Sequence, residues 1–128
     1  VMLNRIQEEQ VFGDADILLV GDYNCYTQEQ PIQTIIRAGY EDMVMRYDST
    51  GYSYVYQSEA GYLDRVFASP TMVAQIQKVS PYHLNADYFY TRGYKRGLDK
   101  TIYRYADHDP ILISVRLVED NADNYNQQ

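Results

Sequence analysis

A short apolar stretch that ends in polar residues constrains the fold of this chain most. Residues 17–24 read Ile-Leu-Leu-Val-Gly-Asp-Tyr-Asn, so four consecutive apolar side chains are followed by a glycine, Asp22 and Asn24. A short apolar run of this kind is typical of a buried strand. Because side chains alternate along a strand, Asp22 and Asn24 lie on the same side. Burying a carboxylate and a carboxamide in a core is costly, so the pair predicts a polar site at the end of a strand in an α/β sheet.

The rest of the chain alternates between helical and strand patterns. Pro31 near the start and Gly39 at the end, with isoleucines at helical spacing between them, predict a helix. Residues 52–56 are rich in tyrosine and predict a strand, which we expect to pair with residues 62–68 as an antiparallel hairpin. The apolar residues 111–117 predict the last strand.

Three motifs follow one another along the chain. They are Gly21-Asp22-Tyr23-Asn24, then Tyr62-Leu63-Asp64-Arg65-Val66-Phe67, and then Ala106-Asp107-His108-Asp109-Pro110-Ile111. In this order they resemble the GDFN motif, the second Asp-bearing strand and the closing SDHxP motif of the endonuclease/exonuclease/phosphatase superfamily, which has the fold of deoxyribonuclease I. The connecting residues 26–32 and 82–87 resemble the bacterial extracellular nuclease branch in particular.

The resemblance implies an α/β fold, namely half of a four-layer α/β sandwich of the deoxyribonuclease I type. The sheet is expected to be mostly antiparallel or mixed and to be flanked by helices. Because only the C-terminal half of the family's domain is matched, we expect residues 1–118 to form that half and the polar residues 119–128 to be disordered. The N-terminal half, which carries a principal metal-binding glutamate in the family, is expected to be absent. The exposed sheet would then pair with that half or with a second copy of the chain.

The resemblance also implies roles for individual residues. Asp22 would orient or deprotonate the attacking water, with a role at a metal as a further option. Asn24 would donate a hydrogen bond to a phosphoryl oxygen or orient the nucleophile. His108 would act on the phosphate, with its ring fixed by Asp64. Asp107 would bind Mg²⁺, or Mn²⁺ or Ca²⁺ in its place. The residues alone indicate only an acidic cluster with one histidine, and each motif also fits a turn at the end of a strand.

Charge is distributed unevenly along the chain. The formal net charge is −7, which excludes binding of nucleic acid through a wholly basic surface but leaves a metal-assisted nuclease open. One basic segment contains Arg92, Lys95 and Arg96, which we interpret as substrate-binding residues because basic side chains follow backbone phosphates. A solvated loop fits the same segment. His83 lies outside the motifs and is expected to be a hydrogen-bonded structural histidine.

The function that the resemblance implies is a divalent-metal-dependent phosphodiesterase. The expected protein is a bacterial endonuclease that acts on nucleic acid outside the cell or in its envelope, with little activity from this chain alone. A phosphatase or phospholipid diesterase of the same superfamily is the first alternative, and a non-catalytic binding or structural module is the second. The single cysteine, Cys25, excludes an internal disulfide framework, and no apolar run reaches the length of a membrane span.

Overall fold

The computed structural model describes residues 15–88 and 105–117. Within these ranges the chain forms seven strands and three helices. In chain order they are β1 (Leu18–Asp22), α1 (Gln30–Arg37), β2 (Glu41–Asp42), α2 (Met43–Tyr47), β3 (Tyr54–Tyr56), β4 (Glu59–Gly61), β5 (Asp64–Ala68), α3 (Pro70–Val73), β6 (Ile76–Pro81) and β7 (Ile111–Val115). The basic segment around Arg92, Lys95 and Arg96 and the predicted tail 119–128 lie outside the described residues.

The strands form three small sheets. Strand β5 lies between β1 and β2 in the first sheet, β3 pairs with β4 in the second, and β6 pairs with β7 in the third. Every pairing between these strands is antiparallel, as the sequence predicts for most of the sheet. No helix in the described parts of the chain is long and apolar enough to cross a membrane.

Two hydrophobic clusters lie on the two faces of the central sheet, because side chains alternate along β5. Phe67 packs on the face covered by α1, with Leu19, Ile32, Ile35 and Tyr40. Val66 and Ala68 pack on the other face. Their buried neighbours there are Met43, Val44, Tyr62, Met72, Ile76 and Val79. The helix predicted after Pro31 is present, and Gly39 follows it with a φ of 96°, a conformation that favours glycine.

The predicted hairpin partner of residues 52–56 is wrong. Strand β3 pairs with β4, at 59–61, across a two-residue turn, whereas β5 leaves this hairpin and pairs with β1 and β2. Val66, Phe67 and Ala68 explain the difference, because all three are almost fully buried. An isolated two-stranded hairpin leaves an apolar strand exposed to solvent on at least one face. In the centre of the larger sheet, both faces of β5 are covered by hydrophobic clusters.

Strand β1 is less buried than its apolar sequence predicts. Leu19 is buried, but Val20 is 59% exposed, because β1 lies at the edge of its sheet among the described residues. Leu112 in β7 is 52% exposed. Soluble domains rarely expose large contiguous apolar patches, although single exposed apolar side chains are common. These two positions mark apolar surface that the described residues leave uncovered.

A buried ion pair joins the central sheet to its surroundings. The guanidinium of Arg65, which is 1% exposed, donates from Nη1 to Asp42 Oδ2 at 2.7 Å, and Nη2 donates to the carbonyl oxygen of Cys25. The Tyr62 hydroxyl donates to the other oxygen of Asp42 at 2.6 Å, and its ring lies 4.2 Å from the guanidinium carbon. Burial raises the pKa of Tyr62, so the phenol stays protonated and keeps this hydrogen bond. Asp42 also caps α2 by accepting from the Met45 amide.

The Asp42→Asn variant tests this ion pair. It leaves the buried Arg65 charge without a carboxylate partner, so we expect the free energy of unfolding to fall by about 3 kcal/mol, measured by urea denaturation. The neighbouring Glu41→Gln variant is the matched control, because it removes a carboxylate from an exposed pair with Arg46. The urea midpoint of this control should hardly change. Equal shifts in both variants would contradict a structural role for the buried pair.

Candidate active site

Two aspartates face each other at one end of the central sheet. In the antiparallel register of β1 and β5, Asp22 lies directly opposite Asp64, next to the apolar pair Val20 and Val66. Side chains at opposed positions point to the same face, and like charges placed there destabilise a sheet. Packing alone therefore gives no reason for two carboxylates at this position. The arrangement marks a candidate functional site.

His108 is held against this pair by a hydrogen bond. Its Nδ1 lies 2.7 Å from Asp64 Oδ2, and both side chains are half-buried. The buried hydroxyl of Ser53 donates to the same carboxylate oxygen at 2.5 Å, and the Asp64 amide donates back to Ser53 Oγ at 3.2 Å. A carboxylate accepts hydrogen bonds, so this geometry places the proton on Nδ1 and leaves Nε2 for another partner. The structure thus brings Asp64 and His108 together as the resemblance implies, while their catalytic roles stay predictions.

Asp22 and Asn24 form a tight turn beyond the end of β1. The Asn24 amide donates to Asp22 Oδ1 at 2.8 Å, and its side-chain nitrogen donates to Asp22 Oδ2 at 3.3 Å. Asn24 has a φ of 48°, a left-handed conformation that costs energy for any residue but glycine and that asparagine tolerates best. Both side chains are exposed. The turn that the sequence left open as an alternative is present, and it holds the two polar groups beside the Asp64–His108 pair.

Three of the predicted catalytic residues converge. The side chains of Asp22, Asp64 and His108 each offer a ligand atom, and these atoms lie within 4.8 Å of one another. Asp107 is exposed and precedes His108 directly, but it does not belong to this three-residue group. Its predicted role as the metal ligand stays a prediction. The predicted substrate-binding residues Arg92, Lys95 and Arg96 lie outside the described residues.

Asp109 is a site residue that the sequence did not single out. It is 2% exposed, and its carboxylate accepts four hydrogen bonds. One comes from His83 Nδ1 at 2.8 Å, and three come from the consecutive amides of Leu84, Asn85 and Ala86 at 2.7 to 3.0 Å. His83 therefore has the hydrogen-bonded position that we expected for it. The acceptor could not be found from the sequence, because His83 and Asp109 are 26 positions apart.

The Asp109 network holds the backbone on which His108 is carried. The amide of Asp109 donates to the Ser53 carbonyl at 2.7 Å, and the Asn85 side chain donates to the His108 carbonyl at 2.8 Å. The ring of Tyr54 covers the His108 ring, with centroids 4.6 Å apart, and the two residues also form an isolated antiparallel bridge. The histidine is thus fixed at its carbonyl, at its ring face and at Nδ1. Such restraint is what a reacting group needs.

The network also sets the charge state of Asp109. Burial raises the pKa of this carboxyl, but the hydrogen bonds from His83 and from the amides of residues 86, 85 and 84 lower it further, and the net pKa lies below its ordinary value. A carboxylate whose pKa is depressed on folding stabilises the folded state fully above its unfolded pKa. That contribution is lost as the pH falls through the folded pKa.

The acid stability of the Asp109→Asn variant tests this assignment. At pH 7 we expect the variant to lose about 2 kcal/mol of unfolding free energy, because charge-assisted hydrogen bonds are replaced by weaker ones. At pH 5, above the ordinary pKa of a carboxyl group, a difference in the same direction from the unmodified protein should remain. Below about pH 4 it should shrink, since the carboxylate becomes protonated in the unmodified protein. Urea denaturation at each pH measures this, and a difference that does not change with pH would contradict it.

Comparison with known proteins gives one structural likeness. No protein-family model matches the chain. No curated protein is similar to it in sequence. Among solved structures, the chain is similar to the 3′ phosphatase NExo from Neisseria, bound to a product DNA hairpin, with a TM-score of 0.61 and 15% sequence identity. The likeness covers 91% of this chain and 51% of NExo, so the chain spans about half the length of that protein. It confirms the predicted α/β fold with antiparallel sheets and flanking helices, of the deoxyribonuclease I type.

Proposed function

We propose that this chain carries part of the active site of a divalent-metal-dependent phosphoric ester hydrolase whose substrate is nucleic acid. The observation that carries the proposal is the hydrogen-bonded pair of Asp64 and His108 directly beside Asp22. Hydrolysis of a phosphodiester needs a positioned water, neutralisation of phosphate charge and a proton for the leaving oxygen. The cluster offers a group for each requirement.

His108 is the proton-carrying group in this proposal. Asp64 accepts from Nδ1 and Ser53 donates to Asp64, so the orientation of the imidazole is fixed before substrate binds. The free nitrogen, Nε2, can donate a hydrogen bond to a phosphoryl oxygen or transfer a proton to the leaving oxygen. Asp64 acts as a positioning residue for His108.

Asp22 and Asn24 act on the water and the phosphate. The exposed carboxylate of Asp22 orients the attacking water and accepts its proton. The carboxamide of Asn24 adds a donor without adding charge, so it can contact a phosphoryl oxygen beside two aspartates. The hydrogen bonds between Asp22 and Asn24 keep these groups together at the sheet end.

The donor set fits a hard divalent cation such as Mg²⁺, Mn²⁺ or Ca²⁺. The opposed carboxylates of Asp22 and Asp64 concentrate negative charge at one point, and carboxylates with water are the ligands that Mg²⁺ prefers. We assign Asp22 to the cation because Asp64 is occupied by His108 and Ser53. The assignment of Asp107 rests on the sequence resemblance. A bound cation would neutralise phosphate charge and make a coordinated water more acidic.

The finer features of the proposal rest on the sequence resemblance. The parent protein would be a bacterial endonuclease that is secreted or held in the cell envelope, with Arg92, Lys95 and Arg96 on the substrate phosphates. Because the chain spans about half the length of NExo, we infer that residues 1–118 are half of a domain and need the other half for full activity. The exposed side chains of Val20 and Leu112 provide apolar surface for such a contact, or for a second copy of the chain.

A phosphatase is the second candidate. The solved structure that the chain resembles is that of a 3′ phosphatase bound to a DNA product, and its name states a terminal phosphate as the group acted on. The same cluster suits a terminal phosphate and an internal diester, because both reactions need neutralisation of charge on the phosphoryl oxygens and a proton for the leaving oxygen. The two candidates differ in the substrate and not in the residues.

Hydrolysis of labelled DNA tests the proposal. We expect the 128-residue chain to cleave fluorophore-quencher DNA slowly with Mg²⁺ or Mn²⁺ and not at all with excess chelator. The His108→Ala variant should lower the rate by about 10²- to 10⁴-fold, because it removes the proton-transfer group. A hairpin that carries a 3′ phosphate, assayed for phosphate release, distinguishes the phosphatase from the nuclease.

The Glu59→Gln variant is the control for metal binding, because Glu59 is an exposed acid of the β3–β4 hairpin outside the Asp22 cluster. Mn²⁺ titration followed by paramagnetic broadening of NMR signals adds a readout that needs no turnover. Asp22→Asn should weaken Mn²⁺ binding by at least about tenfold, and Glu59→Gln should leave it unchanged. Equal Mn²⁺ affinity in all three proteins, together with the absence of hydrolysis, would favour a non-catalytic module.

A further inference from the structure

Two tyrosines continue outward from the His108 ring along strand β3. Tyr54 lies 4.6 Å from His108 between ring centroids, and Tyr56 lies a further 6.3 Å from Tyr54, with the two phenol rings only 7° from parallel. Residues two apart on a strand face the same side, so the two rings follow one another on one face of the hairpin. We call Tyr54 and Tyr56 the tyrosine strip. It begins at the candidate active site and ends in solvent.

The hairpin holds this strip in a fixed position. The turn between β3 and β4 consists of Gln57 and Ser58, which have φ values of 49° and 70°. Two left-handed residues make the tight turn that matches the twist of a hairpin, although neither is the glycine or asparagine that adopts it most easily. Tyr26, in the loop after β1, lies against Gly61 of the hairpin. A Cβ atom added to this glycine would lie 3.4 Å from the Tyr26 hydroxyl oxygen and 3.5 Å from its ring.

Tyr56 does not take part in a hydrophobic core. Its side chain is 61% exposed, whereas Tyr54 is half-buried against His108. A tyrosine side chain has only two rotatable bonds, so an exposed one loses little conformational entropy when it binds a flat partner. If the substrate is nucleic acid, as proposed above, the planar group next to the phosphate ester is a nucleobase.

We propose that the tyrosine strip stacks on an unpaired base of a nucleic acid strand whose neighbouring phosphate ester lies at His108. The inference rests on the proposed function and names its substrate class, a single-stranded or locally unpaired strand. A base inside a duplex already stacks on its neighbours and exposes only its edges, whereas an unpaired base offers its faces. Stacking also supplies affinity that a chain with a net charge of −7 does not obtain from general electrostatic attraction.

Binding of a DNA strand in the presence of a chelator tests this inference in the absence of hydrolysis. Fluorescence anisotropy of a labelled oligothymidylate strand should show that Tyr56→Ala weakens binding by about fivefold to a hundredfold, the range for loss of one stacked base. Tyr56→Phe keeps the ring and should bind within about twofold of the unmodified chain. The Tyr82→Ala variant removes an equally exposed tyrosine outside the strip and should leave the affinity unchanged.

A strand of the same length without bases is the second probe. It carries the same phosphates, so the unmodified chain and Tyr56→Ala should bind it equally, and both should bind it more weakly than the unmodified chain binds oligothymidylate. Three results would overturn the inference: an equal loss of affinity for both strands in Tyr56→Ala, no loss of affinity in Tyr56→Ala, or no base-dependent binding up to millimolar protein.

The outcomes for the two proposals are distinguishable. Base-dependent binding without hydrolysis would support the role of the tyrosine strip and contradict the proposed catalytic function. Hydrolysis that does not change in Tyr56→Ala would support the catalytic function and contradict the role of the strip.

Discussion

The antiparallel pairing of β1 with β5 is the constraint on which the candidate site depends. It places Asp22 opposite Asp64 at a sheet end, where two like charges raise the energy of the folded chain unless a cation or a proton offsets them. The hydrogen bond from His108 to Asp64 provides part of that compensation. The buried Arg65 follows Asp64 in β5 and anchors this strand to Asp42, so the same strand carries a charge pair that stabilises the fold and a carboxylate that is available for function.

A second layer of residues makes the cluster rigid. The Asp109 carboxylate accepts hydrogen bonds from the amides of residues 84–86, and the Asn85 side chain donates to the His108 carbonyl. The Ser53 hydroxyl donates to Asp64, and the Ser53 carbonyl accepts from the Asp109 amide. These contacts join three separate parts of the sequence around one imidazole. Because each hydrogen bond restrains a different atom, His108 has little freedom to reorient, which lowers the entropic cost of placing it against a phosphate.

Local patterns predicted most of the fold, whereas long-range partners escaped prediction. The strand before Asp22, the helix after Pro31 and the final strand were predicted by apolar spacing, proline and glycine. The motifs also named the residues that converge in space. The hairpin partner was wrong because the apolar sequence of β5 fits two different pairings, and only burial on both faces decides between them. Asp109 was missed since its four donors lie more than twenty positions away in sequence.

The acidic composition and the proposed nucleic acid substrate are compatible if recognition is local. A surface with a net charge of −7 repels a phosphate backbone over the distance at which salt does not screen it. A divalent cation at Asp22 would offset the charge of the two opposed carboxylates where the phosphate enters. The carboxamide of Asn24 and the rings of Tyr54 and Tyr56 add no carboxylate there. Affinity would then come from a few short-range contacts beside the reacting group. We therefore expect the affinity to fall less steeply with salt concentration than it does for proteins that bind through many basic side chains.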